Sequence, residues 1–175
     1  SNPVLLSGSA AATVENNLLR NGESHGVSIT SSGNPIVRNN TIVNNGGSGI
    51  QIFGGSGTIF GNLIRNHSTS SAAGMYIWGS SPTVENNLIV NNYASRNSSN
   101  GGGGGILVSG VSSPTIINNT IANNTSGDGN HDLGTGISIA LLKALNALLL
   151  GEKYAATLGI SLPQTRNWTI LATGV

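Results

Sequence analysis

Apolar positions recur along this chain in two short phrases, separated by polar pairs. The first phrase is TVENNLLRN (Thr13 to Asn21), then IVRNNTIVNN (Ile36 to Asn45), TIFGNLIRN (Thr58 to Asn66), SPTVENNLIVNN (Ser81 to Asn92) and TIINNTIANN (Thr115 to Asn124). The second is GVSI at Gly26, GIQI at Gly49, GMYI at Gly74, GILV at Gly105 and GISI at Gly136. Successive glycines of this phrase are 23, 25, 31 and 31 residues apart. Self-similarity at such a period is the mark of a solenoid.

Superposed, the repeats give apolar columns. Val14, Val37, Ile59, Val84 and Ile116 form one, and Leu19, Ile42, Ile64, Ile89 and Ile121 form a second. The glycine phrase adds Val27, Ile50, Met75, Ile106 and Ile137, followed by Ile29, Ile52, Ile77, Val108 and Ile139. Neighbours of these positions vary freely, as at Glu15, Arg38, Phe60, Glu85 and Ile117. Alternation with period two buries one face of each strand. Stacking from repeat to repeat makes that face continuous, so the fold class is all-β, a parallel β-helix of about six to seven turns over the whole chain.

The polar pairs are mostly asparagine, a residue depleted in strands because its amide competes for nearby backbone bonds. One column reads Asn17, Asn40, Asn62, Asn87 and Asn119; another reads Asn21, Asn44, Asn66, Asn91 and Asn123. Asparagine tolerates the left-handed backbone of a tight corner. Its amide also donates and accepts, so amides stacked at the strand spacing of about 4.8 Å can bond one another. Both columns are therefore expected to turn corners and to run structural ladders up the solenoid.

Composition narrows the function classes. Only 7% of residues are charged, and the formal net charge is +1, which argues against a nucleic-acid footprint. There is no cysteine, hence no disulfide framework or thiolate metal site. No run of apolar residues is long enough to span a membrane as a helix. The expectation is one continuous repeat domain over 1–139, followed by a distinct segment over 140–175.

These phrases, I-x-x-N-x-I-x-x-N and G-I-x-I, resemble the right-handed parallel β-helix superfamily, the pectate-lyase-like group, from Pro3 to Ile139. The resemblance implies the fold and leaves the function open, because that superfamily holds polysaccharide lyases, glycoside hydrolases, epimerases, tailspikes, adhesins and non-catalytic scaffolds.

The two ends differ. Val4 and Leu6 fall in register with Val27 and Ile29, with no residues before them set aside as a cap. Solenoid ends otherwise expose apolar groups and unpaired backbone. The expectation is that a neighbouring copy, or the rest of a longer solenoid, covers that end. ALLKALNALLLGEKYAATLG, Ala140 to Gly159, is rich in alanine and leucine, with Leu141, Leu142, Leu145, Leu148 and Leu149 on one helical face. That favours a capping helix over 140–158. Gly159-Ile160-Ser161-Leu162 repeats the glycine phrase 23 residues after Gly136, so a degraded extra turn stays open.

Lyases of the superfamily use clustered carboxylates to hold calcium, with a basic residue beside them, and hydrolases use a close carboxylate pair. This chain has six acidic residues: Glu15, Glu23, Glu85, Asp128, Asp132 and Glu152. Glu15 and Glu85 share a column three turns apart, about 14 Å at strand spacing, with Arg38 beside Glu15. Weak catalytic candidates are Asp128, His131 and Asp132, in the loop SGDGNHDLGTG. That loop occupies the connection that also carries Glu23, His25, His67, Tyr93 and Arg96 in other turns, and loops on a rigid scaffold are where function gathers. No cofactor or metal is expected, calcium at that loop being the one exception left open.

Tyr76 and Trp78 alternate with inward Met75 and Ile77, and Phe53 precedes Trp78 in its column. A flat outward aromatic strip of Phe53, Tyr76 and Trp78 is expected, suited to sugar rings or to another protein. Three functions follow in order of preference. The first is a non-enzymatic extracellular or cell-surface scaffold, structural or adhesive, that stacks on itself or sits within a longer solenoid. The second is a carbohydrate-binding β-helix, and the third a polysaccharide lyase or glycoside hydrolase.

Overall fold

A computed structural model describes residues 3–9, 11–31, 33–95 and 102–127, all within the first of the chain's two units, Ser1–Asp132. Every strand is short, and every pairing is parallel. The first sheet stacks Val4–Gly8, Val27–Ser31, Ile50–Phe53, Met75–Trp78 and Ile106–Ser109 in that order. The second stacks Thr13–Glu15, Ile36–Arg38, Thr58–Phe60, Thr83–Glu85 and Thr115–Ile117. The third stacks Leu18–Arg20, Thr41–Val43, Leu63–Arg65, Leu88–Val90 and Thr120–Ala122. A small fourth sheet joins Ser68–Thr69, Tyr93–Ala94 and Thr125–Ser126.

The chain passes through one strand of each of the three five-stranded sheets in turn, so each passage is one coil of a parallel β-solenoid. Five strands per sheet make four stacking steps in the described residues. The described residues thus make about four turns where six to seven are expected over the whole chain, and 128–175 lie outside the described residues. The capping helix or extra turn over 140–158 also lies outside the described residues.

Register is kept although the repeat length changes. Met75 pairs with Ile50 on one side and Ile106 on the other, while Val27 pairs with Ile50. Extra residues are taken up in the connections leaving the third sheet, which grow from the third coil onward and create the fourth sheet. A one-residue slip would turn each buried side chain outward, so the apolar columns fix the register.

Those columns form the core. Val27, Ile29, Val37, Ile42, Ile50, Ile52, Ile59, Ile64, Met75, Ile77, Val84 and Ile89 are 1% exposed or less. Val4, Leu6, Val14 and Leu19 of the first coil, and Ile116 and Ile121 of the fifth, are half-buried against this cluster. Val108, expected to face inward with them, is 40% exposed on the last described coil. Each buried aliphatic side chain contributes about 1.5–3 kcal/mol relative to exposure. β-branched residues dominate because one χ1 rotamer suits both a strand and a stack of identical neighbours.

Prolines stand where a strand of the second sheet begins. The carbonyls of Pro35 and Pro82 accept from Thr58 N at 2.9 Å and Thr115 N at 2.9 Å. Their missing N–H falls outside the ladder, the position a strand tolerates.

The repeated glycine has a steric cause. A Cβ placed on Gly74 would lie 2.3 Å from the Gly105 carbonyl oxygen and 2.7 Å from Ile89 Cγ2. Gly26 and Gly49 meet the same obstacles, the next coil's glycine carbonyl and an isoleucine methyl. The backbones of successive coils approach closely here, and only a residue without Cβ fits.

Candidate functional site

Two features dominate the molecule beyond its core: the polar ladders at the corners and the aromatic face of the first sheet. In the first polar pair of each coil the two residues divide the labour. Asn16, Asn39, Asn86 and Asn118 have φ between 53° and 58°, with Gly61 at 63° in the same place, and all four asparagines are exposed. They turn the corner in the left-handed region. The second residue runs the ladder. Asn17 Nδ2 donates to Asn40 Oδ1 (3.1 Å), Asn40 to Asn62 (3.0 Å), Asn62 to Asn87 (2.9 Å) and Asn87 to Asn119 (2.9 Å).

Each acceptor oxygen also takes a backbone N–H from the coil before, as Asn62 Oδ1 does from Asn40 N at 3.0 Å. From the second coil on, each Nδ2 reaches back to a strand carbonyl of the previous coil, as Asn62 does to Val37 O (2.9 Å) and Asn87 to Ile59 O (2.9 Å). The buried amides are therefore well satisfied, which removes the penalty of burying them.

The second polar pair divides the same way, and this corrects an expectation. Asn21, Asn44, Asn66, Asn91 and Asn123 have φ between 52° and 59° and are exposed. A left-handed residue points its side chain away from the stack, so this column makes the corner, not the ladder. The ladder passes one residue later, through Asn45, His67, Asn92 and Asn124. Gly22 N donates to Asn45 Oδ1 (2.8 Å), His67 N to Asn92 Oδ1 (3.0 Å) and Asn92 Nδ2 to Asn124 Oδ1 (2.9 Å). The missed signal was spacing: in both pairs the ladder residue lies three places after an inward residue, as Asn62 after Ile59 and Asn92 after Ile89. Column constancy pointed elsewhere, because the second corner is asparagine in all five repeats while its ladder admits glycine and histidine.

His67 is 1% exposed and Asn92 beside it is equally buried. The sequence places His67 among the loop-edge residues, whereas in the fold it stands inside the stack. His25 is half-buried, and its Nδ1 accepts from Ser48 N at 3.0 Å. Burial holds the imidazoles of His25 and His67 below their ordinary values.

The aromatic residues meet on the outer face of the first sheet, but not as a flat strip. Phe53 and Tyr76 lie 5.3 Å apart at 76°, and Phe53 and Trp78 lie 5.6 Å apart at 86°. Edge-to-face packing is the favoured geometry for such rings, so Phe53 locks the other two. Tyr76 Oη accepts from Ser109 Oγ at 3.3 Å. Trp78 stays 50% exposed.

Arg38 Nη2 lies 2.5 Å from Glu15 Oε2, in the column that also holds Phe60 and Glu85. Both partners of this ion pair are exposed, which makes it worth little. Asp128, His131 and Asp132 lie outside the described residues. Among the described residues no group of three or more His, Asp or Glu is placed to hold a metal. No helix among them is long and apolar enough to cross a membrane.

A family model described as the right handed beta helix region matches residues 1–93, more than half of the chain. The chain belongs to the right-handed β-helix family. Its stacked parallel sheets are the architecture that membership requires, and the hand agrees with the strong preference of parallel crossovers. No match is found for this β-helix among curated proteins or among solved structures.

Proposed function

We propose that this β-helix is a non-catalytic structural scaffold whose coils stack on further coils of the same design, supplied by a second copy or by a longer solenoid. The observation that carries this reading is the state of the first coil. Its inward residues Val4, Leu6, Val14 and Leu19 are only half-buried, whereas the equivalent residues of the middle coils are fully enclosed. Its three strands are terminal in their sheets, with one edge of each unpaired among the described residues. A ready apolar face bordered by free strand edges favours addition of another coil.

The proposal includes an extracellular or cell-surface, structural or adhesive role. Sedimentation of the purified chain across a concentration series tests the stacking. The mean mass is expected to rise with concentration, and Leu6→Asp to weaken association at least about tenfold, one tenfold step being about 1.4 kcal/mol. A mass fixed at one chain over the whole series, for both proteins, overturns stacking on a second copy and leaves the longer solenoid as the only source of a further coil.

A second reading rests on Trp78. Its indole is half-exposed and held by Phe53, a rigid amphipathic surface of the kind that stacks on sugars. If the face binds polysaccharide, Trp78→Ala abolishes retardation of the protein in gels containing that polymer while assembly is unchanged. Equal retardation of both proteins removes this reading.

A further inference from the structure

The second ladder changes character at one step. Asn92 Nδ2 donates to Asn124 Oδ1 at 2.9 Å, but no side-chain bond joins Asn45 of the second coil to His67 of the third. The imidazole spans that step with one long contact, Nε2 to Ile42 O at 3.3 Å. It thereby imitates the ladder amides, since Asn92 Nδ2 reaches Ile64 O and Asn124 Nδ2 reaches Ile89 O in the same way. A carbonyl opposite Nε2 requires that nitrogen to carry the proton. Nδ1 is then a bare acceptor, buried and without a hydrogen-bond partner. An orphaned buried polar atom in an otherwise satisfied ladder needs a reason.

The same step is where the cross-section changes. Ser68–Thr69, which follows His67 directly, is the terminal strand of the fourth sheet, and the first two coils have no strand in it. The imidazole thus sits at the seam between two kinds of coil.

We propose that the seam between the second and third coils is an acid-sensitive joint, with His67 as its latch. The neutral ring closes the stack. A protonated ring carries a buried charge with no counter-ion among the described residues, and the backbone groups around it do not offset that burial, so the seam opens to let water reach it.

The surroundings support this. Coil two presents Ile42, Asn45 and Gly47, and coil four presents Asn92, all uncharged. His25, in the connection leaving the first coil, is the titratable group among the described residues that acts on His67, and as a like charge it opposes protonation. Burial is the largest influence and lowers the His67 value; backbone groups of Ile42, Asn45 and Gly47 pull the other way and are outweighed. The sign follows. The closed ring resists a proton that the open ring accepts, so closure is fully stable above about pH 6.5 and weakens as pH falls through that value.

Hydrogen exchange followed by NMR tests this. Asn44 N bonds Arg65 O at 3.3 Å and Leu63 N bonds Asn40 O at 2.9 Å across the seam, while Thr120 N bonds Asn87 O at 2.8 Å two steps away. Protection factors at Asn44 and Leu63 are expected to fall about tenfold per pH unit below about 6.5 until the closed ring itself takes up a proton, with Thr120 unchanged. His67→Asn restores the amide found elsewhere in the column and should abolish the loss, whereas His25→Asn should retain it. The proposal is overturned if His67→Asn opens with acid as the parent does, or if protection falls equally in every coil.

Discussion

Gly74→Ala is expected to be among the most damaging single substitutions in this β-helix, lowering stability by about 3 kcal/mol, the upper end of what overpacking costs. A new methyl at 74 would sit 2.3 Å from the Gly105 carbonyl oxygen, the same oxygen that accepts from Met75 N at 2.8 Å. Backbone cannot rotate aside as a flexible side chain can. Relief requires parting two coils, and that breaks neighbouring bonds of the first sheet. Gly79 supplies the comparison. Its φ is +56° and the space around it is open, so alanine there meets strain of about 1–2 kcal/mol but no collision. Urea midpoints of the two variants rank them. A Gly74→Ala protein no less stable than Gly79→Ala would show that the coils do not approach as closely as described.

Asn62→Ala should have an effect of similar size, about 3 kcal/mol, the upper end of the roughly 1–3 kcal/mol that one buried group left unsatisfied costs. Its amide donates to Val37 O and to Asn87 Oδ1, and its Oδ1 accepts from Asn40 N. Alanine strands the buried Asn40 N–H and takes from the Val37 carbonyl its side-chain donor. Four residues on, Asn66 is exposed with φ 59°. Asn66→Ala should cost only the left-handed strain, about 1–2 kcal/mol, and Asn66→Gly should be close to neutral. Comparable losses for Asn62→Ala and Asn66→Ala would remove the distinction between ladder and corner.

Much of the fold was legible because stacking multiplies a weak pattern. A three-residue strand such as Thr58–Phe60 says little alone, yet Ile59 falls in line with Val37 and Val84, and four such lines define a shared interior. The first ladder was legible for a similar reason: Asn62 persists where its partner becomes Gly61. The second was misplaced because that logic reversed. At the second corner the left-handed backbone holds asparagine in every repeat, whereas the ladder position varies, with Gly22 in the first coil and, in the third, the His67 imidazole that donates to the carbonyl below. The orientation of Phe53, Tyr76 and Trp78 was not legible either. Alternation fixes which side of a sheet a ring leaves from, but the dihedrals that turn Phe53 perpendicular to both neighbours depend on packing between coils.

The account stands most directly on the division of each asparagine pair into a corner residue and a ladder residue. Side-chain amide exchange by 15N NMR reads that division residue by residue. The Nδ2 protons of Asn40, Asn62, Asn87 and Asn92 are expected to exchange slowly, being buried and bonded, while those of Asn39, Asn44, Asn66 and Asn91 exchange as freely as in an open chain. Uniform exchange across both sets, or slow exchange confined to the corner set, would contradict it.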